Sequence, residues 1–206
     1  LERYGMTETN MNTSNPYDGE RRAGTVGIPL PGINIRITDP ETNVKLGSEK
    51  IGMIEIKGEN IFEGYWAMEE QTKDSFTVDG YFITGDLGKF SSDGYLSIIG
   101  RNKDLIISGG LNIYPKEIEV VIDKINYVKE SAVIGVKHND FGEAVVAVIV
   151  ADTEKISQIT IMDVVQTKLA KFKQPKKIIF VSELPRNAMG KVQKQTLRNN
   201  YNKIFN

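Results

Sequence analysis

The sequence predicts an α+β chain in two parts, a β-rich, barrel-like first part and a small α+β second part that meet at the charged turn Gly100–Asp104. Three observations predict it. Asn34–Thr38 and Ile51–Lys57 alternate apolar and polar residues, as half-buried strands do, among glycines and prolines that break the chain into short pieces. Asp104–Ser108 is a short apolar strand ending in Gly109-Gly110. A helix start follows at Pro115, with Ile118, Val121, Ile122 and Ile125 at helical spacing. Further on, Ser131–Val136 and Ala144–Ala151 are β-type runs, Ile161–Phe172 has helical spacing, and Lys177–Val181 is another strand.

Composition narrows the function. With 206 residues, 40% of them hydrophobic, the chain can build one large core or two small ones. A net charge of -1 gives no field favouring nucleic acid or an anionic membrane surface, and no apolar run approaches a membrane span. The absence of cysteine excludes disulfides and thiolate metal sites and fits a reducing compartment. A single histidine, His138, excludes a multi-histidine metal site. There is no signal-peptide pattern. The chain opens at Leu1, directly into a motif-like run, and is expected to be a piece of a longer polypeptide.

In chain order, residues 1–22 read as a long polar loop. Within it, Thr7 and Glu8 place a hydroxyl beside a carboxylate, a pairing suited to a phosphate and its hard cation. The short strands of residues 23–66 suggest a small antiparallel or barrel-like sheet, with Phe62, Tyr65 and Trp66 packing beyond it. A short polar helix is expected near Glu69–Phe76 and a hairpin turn at Asp93-Gly94. Asp86 follows a glycine at the end of an apolar strand, where a carboxylate can accept two hydrogen bonds from a vicinal diol such as a ribose. Residues 104–206 read as a split sheet with helices on one face. His138 sits in its polar connection Lys137–Gly142, and Lys168, Lys171, Lys173, Lys176 and Lys177 form a solvated basic face. Lys191 follows a glycine in a mobile-looking loop, a compact cation on a flexible stem. Taken singly, each of these is more commonly an ordinary surface residue; their order is what gives them weight.

Tyr4–Thr9, Tyr81–Asp86, Gly100–Glu119 and Pro185–Lys191 occur in sequence over nearly the whole chain. This combination resembles the adenylate-forming (AMP-binding) superfamily of acyl-CoA synthetases, luciferases and peptide-synthetase adenylation domains. Within that superfamily, Glu2–Asp18, Ile51–Trp66 and Ser131–Glu143 are most similar to the malonyl-CoA synthetases. The resemblance implies that residues 1–102 end a large, β-rich AMP-binding N-terminal domain and that 103–206 form a mobile C-terminal α+β domain, with the hinge at Lys103. It implies an ATP-dependent acid–thiol ligase that converts malonate, or a related carboxylic acid, and coenzyme A to the acyl-CoA through an acyl-adenylate, with no covalent cofactor.

Residue by residue, the resemblance gives Thr7 to the α-phosphate, Glu8 to Mg²⁺, and Gly5 and Met6 to the adenine and acyl side. Asp86 and Arg101 take the ribose, and Lys191 bridges substrate carboxylate and phosphate during adenylation. Ser108, Gly109 and Gly110 line the path of coenzyme A, and Arg3 and Met6 face the acyl pocket. The superfamily's glycine-rich phosphate loop has no counterpart here. It is expected upstream with most of the acyl pocket, so that this piece alone is inactive and needs the rest of its chain. The expected location is the cytoplasm, or the mitochondrial matrix if the source is eukaryotic. Two other readings compete: an adenylation domain loading a carrier protein, and a non-catalytic module of the same fold.

Overall fold

The computed structural model describes residues 1–205. The chain divides into two units, Leu1–Asn102 and a second from Lys103 onward, and each is built around its own sheet or sheets.

The first unit begins with an antiparallel hairpin, β1 (Arg3–Met6) and β2 (Asn10–Ser14), extended by the two-residue strand β3 (Ile28–Pro29). The reading of residues 1–22 as a loop is therefore corrected. The hairpin's inward residues are polar and are satisfied by partners rather than by apolar packing. Thr13 Oγ1 donates to the Val26 carbonyl at 2.6 Å, and Asn15 Nδ2 to the Thr25 carbonyl at 2.9 Å. Gly5 sits at the register shift between the strands, where a Cβ would lie 2.1 Å from the Asn10 carbonyl oxygen. Only glycine allows that approach.

A four-stranded antiparallel meander follows: β4 (Asn34–Thr38), β5 (Gly52–Lys57), β6 (Phe82–Phe90) and β7 (Leu96–Arg101), with helix α1 (Glu69–Asp74) between β5 and β6. The expected hairpin at Asp93-Gly94 joins β6 to β7. The sheets are open, and no closed barrel forms among the described residues, which corrects the barrel-like expectation. Closing a sheet requires enough tilted, staggered strands to bring its edges together. Here β4 and β7 remain the two edges of a short meander. Tyr4, Ile37, Ile54, Ile56 and Leu96 form the buried core. Phe62, Tyr65, Phe76 and Phe82 pack as an aromatic cluster, whereas Trp66 is 95% exposed and takes no part in it.

On the polar side of the meander, Arg36 reaches both the buried Glu55 at 2.6 Å and Asp79 at 2.5 Å while lying 3.9 Å over the Tyr81 ring. The Arg36 guanidinium and the Thr77 hydroxyl hold the Asp79 carboxyl at about 2, below its ordinary 3.8.

In the second unit the short strands β8 (Ile106–Ser108) and β9 (Leu111–Ile113) form a hairpin closed by Gly109 and Gly110, at φ 58° and 77°. Positive φ at both central residues is what the favoured two-residue hairpin turn requires. The glycine pair therefore turns strand into strand, not strand into helix as the sequence reading had it. Helix α2 (Pro115–Ile122) comes only after β9, with Pro115 in its first turn.

A long antiparallel pair forms the centre, β10 (Val128–His138) with β11 (Gly142–Ala151). Helix α3 (Gln158–Lys168) starts at Ser157, whose hydroxyl accepts from the Thr160 amide at 3.2 Å. Strand β12 (Lys177–Phe180) then runs parallel to β11, and α4 (Lys194–Tyr201) ends the description of regular structure. Residues at period two along β10 and β11 face opposite ways. Val133, Val145, Ala147 and Ile149 pack with α2 and α3 through Ile118, Ile122, Ile161 and Val165. Ala132, Ile134, Val146, Val148 and Val150 pack with Leu184 and Leu197 of the tail. The helices thus cover both faces, not one. The second face was hidden because only a few separated apolar residues of the tail cover it.

Glu119 of α2 is 6% exposed. It accepts from the Val133 amide at 2.9 Å and pairs with Lys194 at 2.7 Å, fastening the start of α4 to the sheet; Lys116 stands farther off at 3.9 Å. A buried carboxylate left without its cation is costly. Replacing Lys194 by alanine is expected to destabilise the protein by about 2–3 kcal/mol in urea unfolding, whereas Glu119→Gln, which keeps an amide-oxygen acceptor, should cost less.

Asp79 supplies a pH test. Its lowered pKa makes its contribution complete above 3.8 and lost as pH falls toward about 2. In Asp79→Asn, the stability-against-pH curve should be flatter than wild type across that window and unchanged near neutrality.

Candidate functional site

The first unit brings two of the sequence-predicted residues, Asp86 and Arg101, together. Asp86 lies in β6, 5% exposed, directly opposite Arg101 of β7 in the strand register. Arg101 Nε stands 2.7 Å from Asp86 Oδ1. The phenol of Tyr4, on β1, donates to Asp86 Oδ2 at 2.7 Å. Burial, and then the negative charge of Asp86, push the Tyr4 phenol well above its ordinary range, so it remains a donor. Asp86 is thus held by a guanidinium on one oxygen and a phenol on the other.

Tyr4 begins the strand that leads to Gly5, Met6 and the turn Thr7–Thr9. Thr7 is exposed at that turn and Glu8 is half-buried. The turn is tied from several directions. Asn12 Nδ2 donates to Thr9 Oγ1 at 2.8 Å, Asn60 Nδ2 donates to the Thr9 carbonyl, and the Phe62 amide donates to the Glu8 carbonyl at 2.8 Å. Tyr65 Oη donates to Glu8 Oε1 at 3.1 Å. Burial, then the hydrogen bond and charge of Glu8, raise the Tyr65 pKa. Arg3 is exposed and forms no ion pair among the described residues; Met6 is half-buried.

No group of three or more His, Cys, Asp or Glu residues able to hold a metal occurs among the described residues. Glu8 with the neighbouring Thr7 hydroxyl is a small, all-oxygen donor set. It fits Mg²⁺, which keeps several waters and is held by one or two carboxylates plus substrate phosphates.

In the second unit, Lys191 is exposed, next to a hydrogen-bonded turn. Asn187 Oδ1 accepts from the Met189 amide at 3.1 Å and the Lys191 amide at 2.9 Å, and the Asn187 amide donates back to the Lys191 carbonyl at 3.0 Å. Arg186 donates to the Gly190 carbonyl at 2.6 Å and pairs with Glu130 of β10. The backbone of Lys191 is held while its ammonium group extends outward. Gly109 and Gly110 form the exposed β8–β9 turn, and the half-buried Ser108 precedes them. Lys103 lies in a 3-10 turn, Asn102–Asp104, at the boundary of the two units. Its carbonyl accepts from Arg198 at 3.1 Å, and Arg198 also pairs with Asp104 at 3.5 Å.

The basic cluster is only partly a solvated face: Lys173 is drawn to Glu117 at 2.7 Å, and Lys176 stands over the Phe141 ring. His138 is structural in character, packed against Phe141 and Phe205. A groove of about 480 Å³ lies along α2 and α3, floored by Val121, Ile125, Ile156 and Val164, and contains none of the predicted site residues.

Comparison with known proteins gives the family. Residues 1–66 match the AMP-binding enzyme family and 117–191 match the AMP-binding enzyme C-terminal domain. The chain belongs to the adenylate-forming superfamily. It is 43% identical over 210 residues to a malonate–CoA ligase of Arabidopsis thaliana, covering 96% of this chain and 34% of that protein. It is 37% identical to a long-chain-fatty-acid–CoA ligase of Yersinia pestis, covering 99% of this chain and 36% of that protein. Among solved structures, ATP-bound MatB from Rhodopseudomonas palustris is 59% identical with a TM-score of 0.94, covering 99% of this chain and 41% of that one. The chain thus spans about a third of the length of these curated relatives. No helix among the described residues is long and apolar enough to cross a membrane.

Sequence reasoning missed Tyr4 as the donor to Asp86, although it stands inside a motif already singled out. It also missed Tyr65, 57 residues from Glu8, for which no local pattern exists. Tyr4→Phe removes a buried donor to a charged acceptor. It is expected to destabilise the protein by about 1–3 kcal/mol, measured by denaturant unfolding.

Proposed function

We propose that this chain contributes to an ATP-dependent acid–thiol ligase whose acid is malonate or a close relative and whose thiol is coenzyme A, acting in the cytoplasm. The observation that carries this reading is the convergence of Tyr4, Asp86 and Arg101 beside the turn that presents Thr7 and Glu8. In this reading the buried Asp86, paired with Arg101 and Tyr4, takes the diol, and Thr7 and Glu8 of the same unit take the phosphate and its metal. Support for malonate comes from the relatives: one is a malonate–CoA ligase, and the named substrates of others differ.

The chemistry takes two steps. A carboxylate oxygen attacks the α-phosphorus of ATP, the bond to the β-phosphate oxygen breaks, and pyrophosphate leaves. The sulfur of coenzyme A, its proton lost to solvent, then attacks the acyl carbon, and the bond from that carbon to the AMP oxygen breaks. Both steps depend on charge placed in advance rather than on covalent help from the protein. Asp86, with Arg101 beside it, accepts the ribose hydroxyls and fixes the nucleotide. Thr7 donates to the α-phosphate, while Gly5 and Met6 border the adenine and acyl groups. Glu8 is the residue that would hold Mg²⁺, whose chemistry when bound is to neutralise phosphate charge. Lys191 places its cation between the acid carboxylate and the phosphate. Arg3 is the cation taken to meet an acid's second carboxylate, and Ser108, Gly109 and Gly110 border the thiol's approach. The turn at Lys103 is the hinge in this reading.

Lys191→Ala in the complete protein, including any sequence outside residues 1–206, should lower ATP-dependent pyrophosphate release by well over tenfold, more than about 1.4 kcal/mol of barrier. Survival of the rate within tenfold removes Lys191 from the mechanism. Assays of the same protein with malonate, methylmalonate, acetate and longer acids, and with coenzyme A against a carrier protein, read out the acid and the acceptor.

A further inference from the structure

Glu8 is gripped at two points by one distant segment. The Phe62 amide donates to its carbonyl at 2.8 Å, and the Tyr65 phenol donates to its Oε1 at 3.1 Å. The donor is itself anchored. The Tyr65 amide donates to Thr72 Oγ1 of α1 at 2.9 Å. The Tyr65 ring stands edge-on to Phe62 at 4.8 Å, and Phe62 packs in turn on Phe82 of β6 at 5.5 Å. This brace runs from the meander through two aromatic rings to one carboxylate oxygen. We propose that Tyr65 is a positioning residue for Glu8, holding one carboxylate oxygen so that the other is directed at a divalent cation bound with the nucleotide's phosphates.

The inference rests on the reading of Glu8 as the metal-holding carboxylate. The physical reason is general. A free glutamate side chain loses rotamer freedom when it binds, and a neighbour that already fixes it removes part of that cost. Hydrogen-bond partners of ligating carboxylates orient them, and their loss typically weakens metal affinity about 10–100-fold. The Tyr65 ring is built into packing that a phenylalanine preserves, so the hydroxyl can be removed alone.

The test uses the complete protein as wild type, Tyr65→Phe and Glu8→Gln. Mn²⁺ binding is followed by electron paramagnetic resonance with an ATP analogue carrying a methylene between the α- and β-phosphorus. Affinity for the same analogue with chelator present, and the thermal midpoint, are measured in parallel. Tyr65→Phe is expected to weaken Mn²⁺ binding about tenfold while leaving metal-free nucleotide affinity at its wild-type value; Glu8→Gln should weaken Mn²⁺ binding further. Wild-type Mn²⁺ affinity in Tyr65→Phe, with loss in Glu8→Gln, overturns the role of Tyr65 and leaves that of Glu8 standing. Equal loss of metal-bound and metal-free nucleotide affinity in Tyr65→Phe also overturns it, because that would mark a scaffold residue. Wild-type Mn²⁺ affinity in Glu8→Gln removes both.

Discussion

The carboxylate of Asp86 is the point on which the first unit turns. It is almost fully buried, and a buried charge survives only when it is paired and hydrogen-bonded. One partner follows from sheet register: β6 and β7 place Arg101 directly across from it. Another comes from a separate sheet, because Tyr4 belongs to the β1–β2 hairpin. The same hydrogen bond that satisfies Asp86 therefore holds the hairpin against the meander, and with it the turn of Thr7 and Glu8. Stability and the candidate chemistry draw on one interaction. The electrostatics of the site are set before any ligand arrives, which is the condition for charge to act on a transition state without reorganisation.

The second unit solves a different problem. Its central pair, β10 and β11, is apolar on both faces, so it must be covered twice. One face takes α2 and α3. The other takes the tail, in which Leu184 and Leu197 are buried on either side of the exposed turn carrying Lys191. Ion pairs close the frame: Arg186 to Glu130 before that turn and Lys194 to Glu119 after it. A segment with little apolar surface of its own is thereby fixed at both ends.

How much of this could be read from residues alone depends on what each element buries. Apolar runs of Val, Ile and Ala made β10 and β11 plain, and the helical spacing from Ile161 marked α3. The β1–β2 hairpin was not visible because Thr9, Asn12, Thr13 and Asn15 are buried polar residues, which in sequence look like turn chemistry. Strand β9 was hidden behind Gly109-Gly110, where three residues are too few to show a period. Asp86, Glu8 and Lys191 stood out through motif order. Tyr65 did not, since a contact made across the fold leaves no trace in local spacing.

The glycines and the charged residues of these motifs carry unequal weight as evidence of function. Gly5 is required by the close approach of Asn10, and Gly109 and Gly110 by the left-handed backbone of a two-residue turn. Folding alone explains each of them. Lys191 is different. Its amide and carbonyl are both bonded to Asn187, and its side chain enters no ion pair among the described residues. An exposed lysine is commonly just solvated, so what singles Lys191 out is its place in the ordered run of motifs and not its surroundings.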